Sequence, residues 1–184
     1  AGAHLVAGNN NAIGNGVITS QGLASNPASF ATTSGVVLPT LNIAGGTTEI
    51  WSDIATSGEQ TYSGNLLISP SSGHTTTFSS SNSNININGT LDGAVAKTES
   101  LVINAGTGNV TFADSVGSLA RLNNLTVTGS SIYVLADILT AVAQTYNGSI
   151  YIGDASYVGR TPSVGFLFVD SYKGYFQYVA GTGV

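Results

Sequence analysis

The chain matches itself. Laid over residues 122–153 without a gap, a shift of 84, residues 38–69 are identical at 11 of 32 positions, among them Leu41/Leu125, Gly45/Gly129, Asp53/Asp137, Gln60/Gln144, Tyr62/Tyr146 and Gly64/Gly148. Many of the rest are like for like, such as Ile43/Val127 and Leu66/Ile150. The clearest common string is Gln-Thr-Tyr-x-Gly, at Gln60–Gly64 and Gln144–Gly148. Such a chain is built from short units that cannot bury their apolar faces alone and must stack on one another. A finer echo lies between the copies. Leu41, Leu101 and Leu125 are each followed nine residues later by a branched aliphatic (Ile50, Val110, Val134) and then by an aspartate (Asp53, Asp114, Asp137). The middle copy carries one extra residue before its aspartate. Leu101 and Leu125 lie 24 residues apart, so the unit is in the low twenties and the long period holds roughly four of them.

Inside each unit the apolar residues alternate: Leu101-x-Ile103, Val110-x-Phe112, Leu125-x-Val127, Ile85-x-Ile87. Period two over three to five residues, broken by Gly, Asn, Ser or Asp, reads as short strands and tight turns. Ala94–Leu101 and Ile138–Gln144 have tolerable helix composition, but the second aligns with the Ser- and Gly-laced Ile54–Gln60 and is read as strand and turn. Short strands in a unit near 22 residues predict an all-β, right-handed parallel β-helix, or β-solenoid, of about eight coils. At the inter-strand spacing of about 4.8 Å that is a rod on the order of 40 Å long. Gly45, Gly64, Gly129 and Gly148 are expected at corners. The expected organisation is an N-terminal coil or cap over residues 1–37, repeats over 38–153, and an aromatic C-terminal cap or contact segment over 154–184.

Composition removes several function classes. There is no cysteine, so no disulfide scaffold, thiolate metal site or cysteine nucleophile exists. Four basic residues (Lys97, Arg121, Arg160, Lys173) and a net charge of -5 exclude a phosphate-gripping surface, hence nucleic acid as a partner. No apolar run reaches about 18 residues, so no helix spans a membrane. Hydrophobic residues still make up 42% of the chain, enough for a core. Ala1 reads as a processed start or the edge of an excerpt, with any export signal already gone.

The strings Glu59-Gln-Thr-Tyr-Ser-Gly-Asn-Leu-Leu-Ile68, Ile85-Asn-Ile-Asn-Gly-Thr-Leu-Asp-Gly93, Leu101-Val-Ile-Asn-Ala-Gly-Thr-Gly-Asn-Val-Thr-Phe112 and Leu125-Thr-Val-Thr-Gly129 resemble the repeat regions of filamentous-haemagglutinin-type adhesins. Those are large exoproteins of Gram-negative bacteria. The resemblance covers roughly Leu38–Gly153. It implies a secreted or cell-surface β-helical rod used in adhesion, aggregation or matrix building, with self-association or host-surface glycans as partners. Two departures stand out: no counterpart of the family's amino-terminal secretion domain, and an aromatic closing segment that leaves the repeat.

Each candidate site residue also has a structural role open to it. Asp53 and Asp137 hold one repeat position about four coils, near 19 Å, apart. Carboxylates that cooperate in glycoside hydrolysis sit within about 10 Å, which excludes a dyad. Asp114 and Asp137 are expected on neighbouring coils, where a calcium site is the alternative to turn capping, the favoured role. His4 and His74 read as exposed polar residues without a triad partner. Gly14/Gly16 and Gly106/Gly108 are turns, because no helix follows them to hold a phosphate. Four Asn-x-Ser/Thr sequons, at Asn88, Asn109, Asn124 and Asn147, are about the number this composition gives by chance. Thr75–Thr77 and Ser79–Ser81 are expected in a solvated turn region. The recurrences Thr56/Thr140 and Thr61/Thr145 raise an ice-binding face as an alternative. No catalytic, cofactor or metal residue is assigned, and no enzyme activity is expected.

The aromatic cluster carries the functional expectation. Six aromatics fall between residues 166 and 178: Phe166, Phe168, Tyr172, Tyr175, Phe176 and Tyr178. Val164–Ser171 and Gly174–Val179 read as two strands of a hairpin around Lys173-Gly174. A solenoid's last coil exposes an open edge, so the segment is expected to cap it or to join it to the first coil of another chain. The expected function is a structural or adhesive rod, with a carbohydrate-binding or carbohydrate-cleaving β-helix as the first alternative.

Overall fold

The computed structural model describes residues 3–70 and 74–153, and the backbone of the strand Tyr175–Val179. The described residues are all β, with no helix, and every strand ladder is parallel. One antiparallel bridge, Leu23 to Asn26, closes a turn. Strands form a five-stranded and a twelve-stranded sheet, and, apart from pairings made by the strands Leu122–Val134 and Thr140–Ile152, neighbours within a sheet are not consecutive in the chain. Each strand pairs with the one a turn of the chain later. Leu66 lies against Leu91, 25 residues on, and Leu41 against Gln60, 19 residues on. This pairing is consistent with a β-solenoid.

Three faces result. The first is the five-stranded sheet, His4–Ala7, Ala28–Thr32, Thr47–Ile50, Asn65–Ile68 and Leu91–Gly93, extended by single bridges through Val116 to Ile138. The second runs from Val37–Leu38 through Ile54–Thr56, Thr75–Ser80 and Ser100–Asn104. The third runs from Val17–Thr19 through Leu41–Ala44, Gln60–Tyr62, Ile85–Ile87 and Val110–Phe112. Two long strands, Leu122–Val134 and Thr140–Ile152, join the second and third faces into one curled sheet. Their mutual register slips between Thr128 and Ser131, where the sheet turns the corner.

Alternation drives the packing, because successive side chains of a strand point to opposite sides. On the second face Ile54, Phe78, Ile103, Val127 and Tyr146 stack in register, all buried. On the third, Ile43, Tyr62, Ile87, Phe112 and Val134 do the same. Phe30, Ile50 and Ile68 form the first-face column. Each column removes its apolar surface from water at about 25 cal/mol per Å². At the corners asparagines tie one coil to the next. Asn84 Oδ1 accepts the Asn109 N–H at 3.0 Å and Asn65 Oδ1 accepts that of Thr90 at 3.2 Å. Gly45 has φ +71°, and Gly64 packs so closely on it that an added Cβ would meet the Gly45 carbonyl carbon at 2.8 Å.

The long repeat is out of phase with the winding. Gln60–Tyr62 lies on the third face, between Leu41–Ala44 and Ile85–Ile87, whereas its copy Gln144–Tyr146 lies on the second, beside Leu125–Val127. Asp53 therefore precedes a second-face strand and Asp137 a first-face bridge, so they share no row, contrary to the sequence expectation. The reason is that alternation and corner residues are common to all three faces, so two segments can match while offset by one face. The shorter echo is in phase where it spans one coil: Leu101 pairs with Leu125.

Thr75–Ser80 is also not a turn. It is a six-residue strand with Thr76 and Phe78 turned inward and fully buried. Runs of Thr and Ser mask the alternation that a branched aliphatic would have displayed.

Candidate functional site

The expected contact residues fall in two groups. Phe166, Phe168 and Tyr172, with the first expected hairpin strand and the turn at Lys173-Gly174, lie outside the described residues. Tyr175, Phe176 and Tyr178 lie on the strand Tyr175–Val179, which pairs in parallel with Thr140–Ile152. Phe176 takes the register position beyond Leu125 and Gln144, and Tyr178 the one beyond Val127 and Tyr146. The strand thus adds another rung to the second face, and among the described residues it pairs on one side only.

The repeated Gln-Thr-Tyr string is a core device. Tyr62 donates its hydroxyl to Gln60 Oε1 at 2.9 Å, and Gln60 Nε2 donates to the Ser79 carbonyl at 2.6 Å and to Thr56 Oγ1 at 3.2 Å. Tyr62 and Gln60 are both 0% exposed. The second copy repeats the bond, Tyr146 to Gln144 Oε1 at 2.8 Å, with Gln144 Nε2 donating to the Ile138 carbonyl at 2.8 Å. Burial pushes both phenols above their ordinary value, since the charged form would lose its hydration. The buried amide lets a polar group sit in an aliphatic column because its hydrogen bonds are made.

Three aspartates act as backbone anchors. Asp114 Oδ1 accepts the Ser115 N–H at 2.7 Å, the expected turn-capping role. Val116 and Ile138 form a bridge, so Asp114 and Asp137 do sit on neighbouring coils. Asp53 Oδ1 accepts the Thr77 N–H at 2.8 Å and meets His74 Nε2 at 3.0 Å, with both side chains about half exposed. Asp92, which the sequence reading passed over, is 1% exposed and accepts the N–H groups of Leu119 at 2.9 Å and Ala120 at 3.1 Å. Among the described residues, no three His, Cys, Asp or Glu side chains are grouped to hold a metal ion. Nor is any helix there long and apolar enough to cross a membrane.

The threonine recurrences do not build a face. Thr56 and Thr140 point inward, each 2% exposed, and Thr61 and Thr145 lie on different faces. Outward second-face positions in register are Thr77, Val102, Thr126 and Thr145, a row interrupted by valine.

The first face carries a different surface. His4 Nδ1 meets Ser29 Oγ at 2.6 Å, and the His4 ring packs against Trp51 with centroids 4.7 Å apart and planes tilted by 36°. Trp51 is 46% exposed, as is the neighbouring outward Val6. At the far rungs of the third face Tyr133 and Tyr151 stack in register, 5.1 Å between centroids. Comparison with known proteins finds no matching family model, no similar curated protein and no similar solved structure.

Proposed function

We propose that the chain is a segment of a structural and adhesive rod, displayed on or released from a bacterial surface. In this reading the solenoid is a right-handed parallel β-helix of about eight coils. The hand follows from the strong preference of parallel crossovers for right-handed connection. The resemblance to filamentous-haemagglutinin-type repeats belongs to the same reading, and so does its non-enzymatic role. The observation that carries it is the parallel ladder of the second face, which continues from Val37–Leu38 to Tyr175–Val179. Backbone hydrogen bonds along such an axis resist extension.

Assembly is head to tail. The strand Tyr175–Val179 offers a further parallel edge, and a heterologous contact of that kind propagates into a fibre. Phe166, Phe168, Tyr172, Tyr175, Phe176 and Tyr178 form the joint. The test is negative-stain imaging of the purified chain and of the Tyr175→Ser, Phe176→Ser double variant. Filaments in the first and none in the second support the joint. Filaments unchanged in the variant, or a strictly monomeric parent chain, refute it.

A further inference from the structure

The outer side of the first face holds Trp51, the single tryptophan of the chain. Its position follows from alternation: Ile50 turns into the core at 0% exposed, so Glu49 and Trp51 on either side turn outward. Register sets Glu49 against Ser29, and Ser29 against His4. Glu49, Ser29 and His4 therefore occupy one outward row across three rungs. His4 and Trp51 belong to rungs about 10 Å apart along the axis. Their rings nevertheless approach to 4.7 Å, so both lean over the intervening strand Ala28–Thr32.

Several polar groups around these rings lack partners, whereas many at the corners are satisfied. Corner asparagines satisfy one another's backbone, and Asp53, Asp92 and Asp114 are spent on N–H groups. Among the described residues, the Glu49 carboxylate, His4 Nε2 and Trp51 Nε1 make no hydrogen bond or ion pair. His4 is held through its other nitrogen by Ser29, which fixes the ring with Nε2 left over. The surface thus presents an acceptor pair, a ring nitrogen, an indole donor and an exposed aromatic body together.

We propose that this surface is a binding site for an uncharged hexopyranose chain of a glycan. A pyranose has one face of axial C–H groups, which packs on the electron-rich face of an indole. Its rim of hydroxyls donates to a carboxylate and exchanges hydrogen bonds with an imidazole. Trp51 supplies the stacking face, Glu49 accepts from neighbouring hydroxyls, and His4 orients the indole and bonds a further hydroxyl. Charge selects against sulfated or uronic glycans, because the carboxylate and the net charge of -5 oppose an anion. The proposal gives the adhesive part of the function above a place and a ligand class, and it rests on that reading.

Trp51 reports on its own site, since all tryptophan emission comes from it. The experiment titrates the chain with cellohexaose and with chitohexaose up to about 10 mM, and with a heparin hexasaccharide as the anionic comparison. A saturable emission change with a neutral oligosaccharide is expected, with a Kd on the order of 1 mM, as befits one small exposed site. Glu49→Gln should weaken it about tenfold. Trp51→Ala should abolish binding as read by saturation-transfer NMR, with an unchanged far-UV spectrum. No saturable change with either neutral probe, stronger binding of the heparin fragment, or binding retained by Trp51→Ala each overturns the site. Monomeric fractions are used, so loss of filaments by imaging leaves this result standing, and the reverse holds too.

Discussion

Replacing Tyr62 with phenylalanine isolates the polar bond inside the aliphatic columns. The ring remains, and with it the stack on Phe78 at 5.2 Å between centroids. What is lost is the O–H donor to Gln60 Oε1, in a pair that is fully buried. Gln60 keeps its two donations through Nε2, to Ser79 and Thr56, so its side chain cannot swing away to find water without breaking them. A buried acceptor left without a donor costs about 1–3 kcal/mol, and the amide's fixed position puts the expectation near 2 kcal/mol. Urea denaturation followed by circular dichroism measures it, with an unchanged m-value as the sign that the native surface is the same. A cycle with Gln60→Met separates the bond from generic core damage. In the methionine background no acceptor is stranded, so Tyr62→Phe should there cost less by about 1 kcal/mol or more. Equal costs in both backgrounds, or a single variant within about 0.5 kcal/mol of the parent, would refute the reasoning.

Alkaline pH acts on the same device. The Tyr62 and Tyr146 phenols are raised in the folded chain and ordinary in the unfolded one. The folded state therefore holds more protons above about pH 10, and stability falls as pH rises from there. The slope is up to about 1.4 kcal/mol per pH unit for each of the two, and Tyr62→Phe should remove one share when denaturation midpoints are compared across pH 9–12. At the first-face corner, Asp92→Ala strands the N–H groups of Leu119 and Ala120, a cost of about 2 kcal/mol. Hydrogen exchange over residues 117–121 should quicken about thirtyfold while the strand Ser100–Asn104 keeps its protection.

Particular residues explain what the sequence made legible. Leu101-x-Ile103, Val110-x-Phe112 and Leu125-x-Val127 announce strands because one branched side chain in two must leave water, and every one of these six is buried. Parallel stacking followed from the repeat. The phase did not, since coils advance by 19 residues at Leu41 to Gln60 and by 25 at Leu66 to Leu91, and corner loops absorb the difference without an apolar signature. Thr75–Ser80 was hidden because Thr76 fills an inward position that an aliphatic would have advertised. The first-face site was hidden by distance along the chain: His4 and Trp51 meet only through two successive registers. One signal was present, a tryptophan immediately after a core isoleucine, which alternation sends outward.

The winding itself is best tested by dipolar electron paramagnetic resonance on paired nitroxide labels, in a chain with no native cysteine to compete. Thr126 and Thr145 are outward neighbours on adjacent strands, and Thr77 occupies the same row beyond Val102. Labels at 126 and 145 should sit about 5 Å apart at the backbone and broaden each other strongly, and labels at 77 and 145 about 14 Å apart. Weak coupling in the first pair, or a 77-to-145 separation beyond about 25 Å, contradicts an in-register parallel winding.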